Sequence, residues 1–258
     1  MSFTKKQRAA LRALARLWRD RRFVLVGASA LGCQMRMAWR GTSDLDIAIA
    51  VEMDEYPAGL QNASGWKRDP RLEQRWYYRE VPVDVLPAGE RMRASGGFTW
   101  PESELEMSLA AMDLAFAQCS AVPCGGGATI DVASVPAIAT LKMASFCDRP
   151  FERERDLEDL GHVLERYLDD DDRRFDETVF NAGVTFEHVS AFLCGQDIGG
   201  LLATPEHALV VERFLERVSE GETDFFRWLR HGPLHDEDEL AKRLAAFRLG
   251  LQVRIEDG

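Results

Sequence analysis

The sequence predicts an α/β (α+β) protein whose second half is helical, and two observations support this class. The first part of the chain alternates a helix, a strand and another helix before a run of strands. From about Pro136, the β-branched alternation of the strands gives way to repeated helical periodicity. We therefore predict an α/β domain at 1–135 and a helical C-terminal domain at 136–258.

Local patterns predict each element in turn. Leu11, Leu14 and Trp18 recur at helical spacing among basic residues, which indicates an amphipathic first helix. Short runs of apolar and β-branched residues indicate the strands. After the first helix we predict a strand ending at Gly27, a helix at 28–39, strands at 45–51, 74–78 and 81–86, and helices at 138–147, 157–168, 206–218 and 238–251.

The composition is that of an ordinary globular protein, with 46% hydrophobic and 29% charged residues. No apolar run is long enough to span a bilayer, and the basic N-terminal segment is unlike a signal peptide. The five cysteines are spread without a CxxC pair, which argues against a disulfide framework and against a zinc site. These patterns predict a cytoplasmic protein that has no membrane partner.

Charge is distributed unevenly along the chain. The net charge of −11 opposes nucleic-acid binding, because surfaces that bind phosphate backbones are usually basic. Residues 1–40, however, carry ten Lys and Arg side chains against the single acid Asp20, whereas 169–172 and 236–239 are acidic. A basic arm on an acidic body can still dock a phosphate-rich partner.

The most informative motif begins where the first strand ends, at Gly27. Ser29 begins the next helix, and Asp44 and Asp46 open the following strand. Residues two apart on a strand project to one face, so the two carboxylates can converge on a cation. Glycine allows close backbone approach, and a helix N-terminus with a serine hydroxyl suits phosphate. An Asp after Thr-Ser is also common in turns and caps, which is the alternative explanation.

A third carboxylate, Asp84, is a lone acid within the apolar strand at 81–86. A charge in such a strand is costly unless it is paired or binds a metal. If this strand lies beside the strand at 45–51, Asp44, Asp46 and Asp84 fall at one end of the sheet. That arrangement suits two Mg²⁺ ions, or Mn²⁺, one activating the attacking hydroxyl and the other holding the triphosphate.

A second cluster of charged residues surrounds Lys142. Its sequence neighbours are apolar on both sides, so its ammonium group is either solvated or directed towards a triphosphate. Asp156 and Asp159 lie one turn apart on the next predicted helix. These two acids either belong to an NTP site or form structural ion pairs with arginines close to them in sequence.

Together the motifs resemble those of minimal nucleotidyltransferases in the DNA polymerase β superfamily, and within it the AbiEii-like abortive-infection toxins. The residues that match the Gly-x-Ser, Asp-x-Asp and third-carboxylate positions of that group are Gly27, Ser29, Asp44, Asp46 and Asp84. Its downstream Lys and Arg-Asp-x-x-Asp motifs are similar to the segments that begin at Lys142 and Arg155. The gap between Ser29 and Asp44 differs from the family's shorter spacing, and no motif is matched after residue 170.

The resemblance implies a mixed-sheet nucleotidyltransferase domain with flanking helices, magnesium as cofactor, and transfer of a nucleoside monophosphate from NTP to a hydroxyl. In relatives the acceptor can be the 3′ end of a tRNA, and the toxin is paired with an antitoxin protein. Two alternatives stay open for this chain. One is nucleotidyl transfer to a small-molecule hydroxyl, and the other is a catalytically idle protein that only binds nucleotide.

We assign each candidate residue a role on this basis. Asp44, Asp46 and Asp84 are predicted to bind the metal ions, and Asp84 is also the candidate base towards the acceptor hydroxyl. Lys142 is predicted to steady the triphosphate during catalysis. The residues predicted to bind NTP are Gly27, Ser29, Lys142, Asp156 and Asp159.

Overall fold

Strands and helices alternate through the first half of the chain. This computed structural model describes residues 3–37, 39–219 and 236–253. The strands within these residues are β1 (Phe23–Val26), β2 (Leu45–Ile49), β3 (Trp66–Arg68), β4 (Arg75–Tyr78), β5 (Val81–Pro87), β6 (Gly97–Thr99), β7 (Glu106–Ser108), β8 (Cys119–Gly125) and β9 (Ala128–Ala133). The α-helices of the same residues are α1 (Lys5–Leu17), α2 (Gly27–Gln34), α3 (Glu90–Ala94), α4 (Met112–Ala117), α5 (Val135–Asp148), α6 (Glu154–Arg166), α7 (Glu177–Asn181), α8 (Val189–Gly199), α9 (Pro205–Ser219) and α10 (Glu237–Val253). None of the helices described is both long and apolar enough to cross a membrane.

The main sheet contains seven strands in the order β3-β4-β5-β2-β1-β9-β8. The β1–β9 and β2–β5 pairs are parallel, and the other neighbouring pairs are antiparallel. A separate two-stranded sheet is formed by β6 and β7. The sheet is therefore mixed, and the predicted α/β class with a helical second half is confirmed.

Two compact units make up the chain, Met1–Ile138 and Ala139–Gly258. The division falls within α5. The first unit contains both sheets and the helices α1 to α4, whereas the second contains the helices from α6 onward. The carboxylates that precede residue 90 thus belong to the first unit, and the cluster around Lys142 belongs to the second.

The core of the first unit includes both faces of the central strands. Leu45 and Ile47 of β2 are fully buried, as the apolar run predicted. In β5, buried and partly exposed residues alternate, with Val83 and Val85 fully buried. Because successive residues of a strand point to opposite faces, Asp84 lies on the other face from these two valines.

Helix α1 begins with a capping box in which Thr4 and Gln7 satisfy each other's backbone N–H groups. Its apolar side is buried in the first unit, with Leu11 and Leu14 fully inaccessible. Its basic side chains project from the rest of its surface, and Arg8 and Arg16 among them are exposed. The predicted amphipathic helix is therefore confirmed, and its apolar face packs against the protein's own core.

Helix α2 is shorter than the prediction of a helix at 28–39. It ends at Gln34, and Met35 adopts an extended conformation with φ −140° and ψ 160°. Neither glycine nor proline occurs between Gln34 and Gly41, so the sequence carries no stop signal at this end. The apolar pattern continues past Gln34 for a different reason: Met37 is buried although it lies in the segment that leads towards β2.

Helix α8 was not predicted from the sequence, and its packing shows why. All residues from Val189 to Gly195 are buried, so no polar stripe marks the helical period. A Cβ on Gly195 would lie 2.1 Å from the carbonyl oxygen of Phe247 in α10, and one on Gly250 would lie 2.0 Å from that of Phe192. The two glycines therefore allow α8 and α10 to approach backbone to backbone.

Candidate active site

A row of charged side chains crosses three neighbouring strands near the beginning of β2. Asp46 of β2 pairs with Asp84 of β5 in the parallel register, and Asp84 pairs with Arg75 of β4 in the antiparallel register. Residues paired in this way project to the same face of a sheet. The expectation that the strand carrying Asp84 lies beside the strand carrying Asp46 is confirmed.

Asp44 lies two residues before Asp46, directly ahead of β2. Its Oδ1 accepts a hydrogen bond from Thr42 Oγ1 at 2.8 Å, and its Oδ2 lies 3.9 Å from Arg75 Nη2. The Asp44 side chain is 39% exposed, whereas that of Asp84 is 16% exposed. Asp44 is therefore the more accessible of these two carboxylates.

Arg75 and Asp84 form a bidentate ion pair. Arg75 Nε donates to Asp84 Oδ1 and Nη2 donates to Oδ2, both at 2.7 Å. These hydrogen bonds raise the pKa of Arg75 above its already high value, so the guanidinium keeps its charge at physiological pH. The charge of Asp84, which the sequence left unpaired, is compensated by this arginine.

Gly27 lies directly against the Asp46 side chain. It begins α2 with φ +66°, a conformation that favours glycine. A Cβ at this position would lie 2.2 Å from Asp46 Oδ2 and 2.8 Å from its Cγ. Because residue 27 has no side chain, the Asp46 carboxylate can lie beside the N-terminus of α2.

Ser29 is buried and connects α2 to the segment before β2. Its Oγ donates a short hydrogen bond to the main-chain oxygen of Asp44. Only 4% of the residue is exposed. The hydroxyl therefore positions Asp44, and a direct contact of Ser29 with phosphate stays a prediction.

The oxygen donors of this site suit a hard divalent cation, because carboxylates are the ligands that Mg²⁺ prefers. Across the described ranges, however, no three His, Cys, Asp or Glu side chains are placed to hold a metal together. Both oxygens of Asp84 are hydrogen bonded to Arg75 instead. Asp44 and Asp46 fit one cation by donor type, and the two-ion arrangement stays a prediction.

Comparison with solved structures finds distant similarity. No protein-family model matches the chain, and no curated protein matches it significantly. Among solved structures, an antigenic nucleotidyltransferase-like protein from Paracoccidioides brasiliensis is 13% identical with a TM-score of 0.47, covering 90% of this chain and 95% of that one. The antibiotic-resistance factor ANT(2'')-Ia is 11% identical with a TM-score of 0.41, covering 87% of this chain and 100% of that one. JHP933 from Helicobacter pylori is 14% identical with a TM-score of 0.42, covering 99% and 96% of the two chains.

These similarities are too distant to assign an activity, since every one of the TM-scores is below 0.5. Membership of the AbiEii-like family also stays a prediction. The function must therefore be inferred from the residues of this chain.

Lys142 lies in a buried ion-pair cluster of the second unit. Its Nζ donates to Asp156 Oδ1 at 2.6 Å and lies 2.8 Å from Asp159 Oδ2, and the side chain of Asp159 is fully buried. Burial disfavours the charged ammonium, but the two carboxylates outweigh it and raise the pKa of Lys142 above its ordinary value of 10.5. Both acids thus form structural ion pairs with Lys142, and a contact of the three residues with NTP stays a prediction.

We expect Lys142→Met to destabilise the protein by about 3–5 kcal/mol, because it leaves two carboxylates without their buried counter-ion. The raised pKa means that the lysine stabilises the fold below pH 10.5 and that this contribution is lost as pH rises through the higher folded value. Urea denaturation as a function of pH measures both effects. The Lys142→Met variant should lack the fall in stability at alkaline pH that comes from deprotonation of Lys142.

Lys242→Met is the matched control, since Lys242 is exposed on α10. Its effect should stay within about 0.5 kcal/mol, as is usual for surface substitutions. Equal destabilisation by the two changes would contradict a structural role for the cluster around Lys142.

One residue of the site was missed by the sequence analysis, namely Arg75. The signal was present, because the predicted strands at 74–78 and 81–86 are joined by only two residues. A two-residue connection fixes the register of a hairpin, and it places Arg75 opposite Asp84.

Proposed function

We propose that this chain is a nucleotidyltransferase that moves a nucleoside monophosphate from an NTP to a hydroxyl acceptor. The observation that carries the proposal is the pairing of Asp46 with Asp84 across β2 and β5, with Asp44 just ahead of β2 and with Gly27 and the N-terminus of α2 against Asp46. Carboxylates of this kind hold the cation that phosphoryl transfer requires, and a helix N-terminus favours phosphate beside them.

Mg²⁺ is the proposed cofactor, with Mn²⁺ as a substitute, and Asp44 and Asp46 are the residues that would hold it. A bound divalent cation supplies neutralisation of phosphate charge and polarisation of the phosphoryl oxygen. The chain's own contribution is to fix these carboxylates. Ser29 holds the Asp44 backbone, Thr42 orients the Asp44 carboxylate, and the space left by Gly27 admits the Asp46 carboxylate.

Asp84 is proposed as the base that accepts the proton of the attacking hydroxyl. Each of its oxygens accepts one hydrogen bond from Arg75, and a carboxylate oxygen has a second lone pair available. The bidentate arginine fixes the orientation of the carboxylate, and the remaining lone pairs are the ones that would accept the proton.

An RNA is the acceptor that we propose, and a basic face of α1 supports it. The positions that form this face are Lys5, Arg8, Arg12 and Arg16, which follow each other at intervals of three and four residues. Arg12 Nη1 donates to the Cys124 carbonyl oxygen at 3.2 Å, which places the face beside the β8–β9 turn. A lipid surface is a poor partner, since the apolar side of α1 is buried in the core.

Removing three charges of this face should weaken RNA binding. We expect the combined substitutions Lys5→Gln, Arg8→Gln and Arg16→Gln to lower the slope of log affinity against log salt by about 2, because each phosphate contact contributes about 0.7 for a single strand. Fluorescence anisotropy of labelled RNA at several salt concentrations measures this slope.

The matched control removes three exposed arginines of the second unit, Arg153→Gln, Arg155→Gln and Arg213→Gln. It changes the net charge by the same amount. The control should keep the slope of the unmodified chain. An equal drop of the slope in both variants would show that the effect comes from net charge alone.

The transfer reaction itself is tested with labelled NTPs, Mg²⁺ and two acceptor pools, total RNA and small hydroxyl compounds. Label in RNA supports the proposed acceptor. Label in small molecules only would favour the small-molecule alternative, and binding of NTP without any product would favour the idle protein.

The toxin role and the antitoxin partner are also proposals, and they predict growth arrest when the chain is expressed but not when its Asp46→Ala variant is expressed.

A further inference from the structure

We propose that Arg75 takes the place of one of the two metal ions expected at this site, so that the chain binds a single divalent ion on Asp44 and Asp46. The inference deepens the proposed function, because it sets the ion content of the same site. It is tested by ion binding alone, without turnover.

The geometry gives Arg75 the contacts of a fixed cation. Its guanidinium holds both oxygens of Asp84 at 2.7 Å and lies 3.9 Å from Asp44 Oδ2. A metal ion shared by Asp44 and Asp84 would have to occupy the region between these carboxylates. Arg75 Nη2 is hydrogen bonded to Asp84 and lies within ion-pair distance, 3.9 Å, of Asp44 Oδ2.

The placement of Arg75 is set by the backbone, because it is paired with Asp84 across the β4–β5 hairpin. Only 28% of its side chain is exposed, so most of it is held by its surroundings. Arginine cannot be deprotonated at physiological pH, and a bidentate pair with a carboxylate is among the stronger side-chain hydrogen-bonded contacts. The guanidinium therefore presents a permanent positive charge at this position.

The charge of Arg75 also opposes a second ion. A divalent cation on Asp84 would meet the guanidinium at close range, where like charges repel.

The experiment counts Mn²⁺ bound to the full chain, from the electron paramagnetic resonance signal of free Mn²⁺. Only ions that are lost in the Asp44→Asn, Asp46→Asn double variant are counted, so that other acidic segments do not contribute. The unmodified chain should bind one such ion, and Asp84→Asn should still bind one. Arg75→Ala should bind two, and the Arg75→Ala, Asp84→Asn double variant should return to one.

Two further variants test whether the ion count of Arg75→Ala reflects the loss of charge and not misfolding. Arg75→Gln removes the charge with a smaller loss of volume and should also bind two ions, whereas Arg75→Lys keeps the charge and should bind one. Arg71→Ala is the matched control, since it removes an exposed arginine of the loop before β4 and should leave one ion. Circular dichroism confirms that each variant is folded.

Two bound ions in the unmodified chain, with one of them lost in Asp84→Asn, would overturn the proposal and show that Arg75 yields to metal. A single ion in both Arg75→Ala and Arg75→Gln would also overturn it. One bound ion without nucleotidyl transfer would refute the proposed function but not the role of Arg75. No Mn²⁺ binding at Asp44 and Asp46 would refute both.

Discussion

Asp46→Asn should lower the rate of nucleotidyl transfer about a thousandfold, the equivalent of about 4 kcal/mol of transition-state stabilisation. The substitution keeps the shape of the side chain and removes its charge. Asp46 belongs to the proposed cation site and is also paired with Asp84 on the neighbouring strand. It lies against Gly27 at the start of α2. Initial rates with labelled NTP at saturating Mg²⁺ measure the loss.

Asp131→Asn is the control for this prediction. Asp131 lies on β9 of the same sheet, where it pairs with Val24 and not with the charged row. Its replacement should change the rate by less than about threefold, while both variants keep the thermal stability of the unmodified chain within a few degrees. Comparable losses of activity in the two variants would remove Asp46 from its proposed role.

Gly27→Ala should reduce transfer about a hundredfold, because it displaces the Asp46 carboxylate. The new Cβ would lie 2.2 Å from Asp46 Oδ2, and the carboxylate is the group that can move most easily to relieve the contact. A displacement of about 1 Å in a reacting group can cost about 10²-fold in rate. Steady-state kinetics and Mn²⁺ affinity should both report the change.

Gly127→Ala separates this effect from backbone strain. Gly127 also has a positive φ, +76°, but nothing lies within 4 Å of a Cβ placed there. Both substitutions should cost about 1–2 kcal/mol of stability for the left-handed conformation, whereas only Gly27→Ala should lose activity. An equal loss of activity in the two variants would contradict the proposed contact between residue 27 and Asp46.

The carboxylate row could be predicted from the sequence because strand periodicity is a local property. The two-residue spacing predicts that Asp44 and Asp46 share one face, although β2 begins at Leu45 and Asp44 lies just ahead of it. The lone acid in the strand of Asp84 requires a compensating charge. That charge comes from Arg75 of the neighbouring strand. The length of the hairpin connection contained this information. A metal ion meets the same requirement, which is why the sequence predicts one at Asp84, and that prediction is not tested by the fold.

The second cluster could not be predicted to the same depth. Lys142 lies on α5 and its two partners lie on α6, so their pairing depends on how two helices pack. Helical periodicity identifies each helix but not its neighbour. The same limit applies to α8, whose burial on every side removes the periodic signal altogether.

The central claim is that this chain transfers the α-phosphoryl unit of an NTP to a hydroxyl, and the position of the label tests it most directly. Parallel reactions with α-labelled and γ-labelled NTP are incubated with Mg²⁺ and total RNA, and the acceptor and the released phosphate are separated. We predict label in the acceptor from the α-labelled NTP only, with pyrophosphate released from the γ-labelled one. Label in the acceptor from γ-labelled NTP, or none from either, would contradict nucleotidyl transfer.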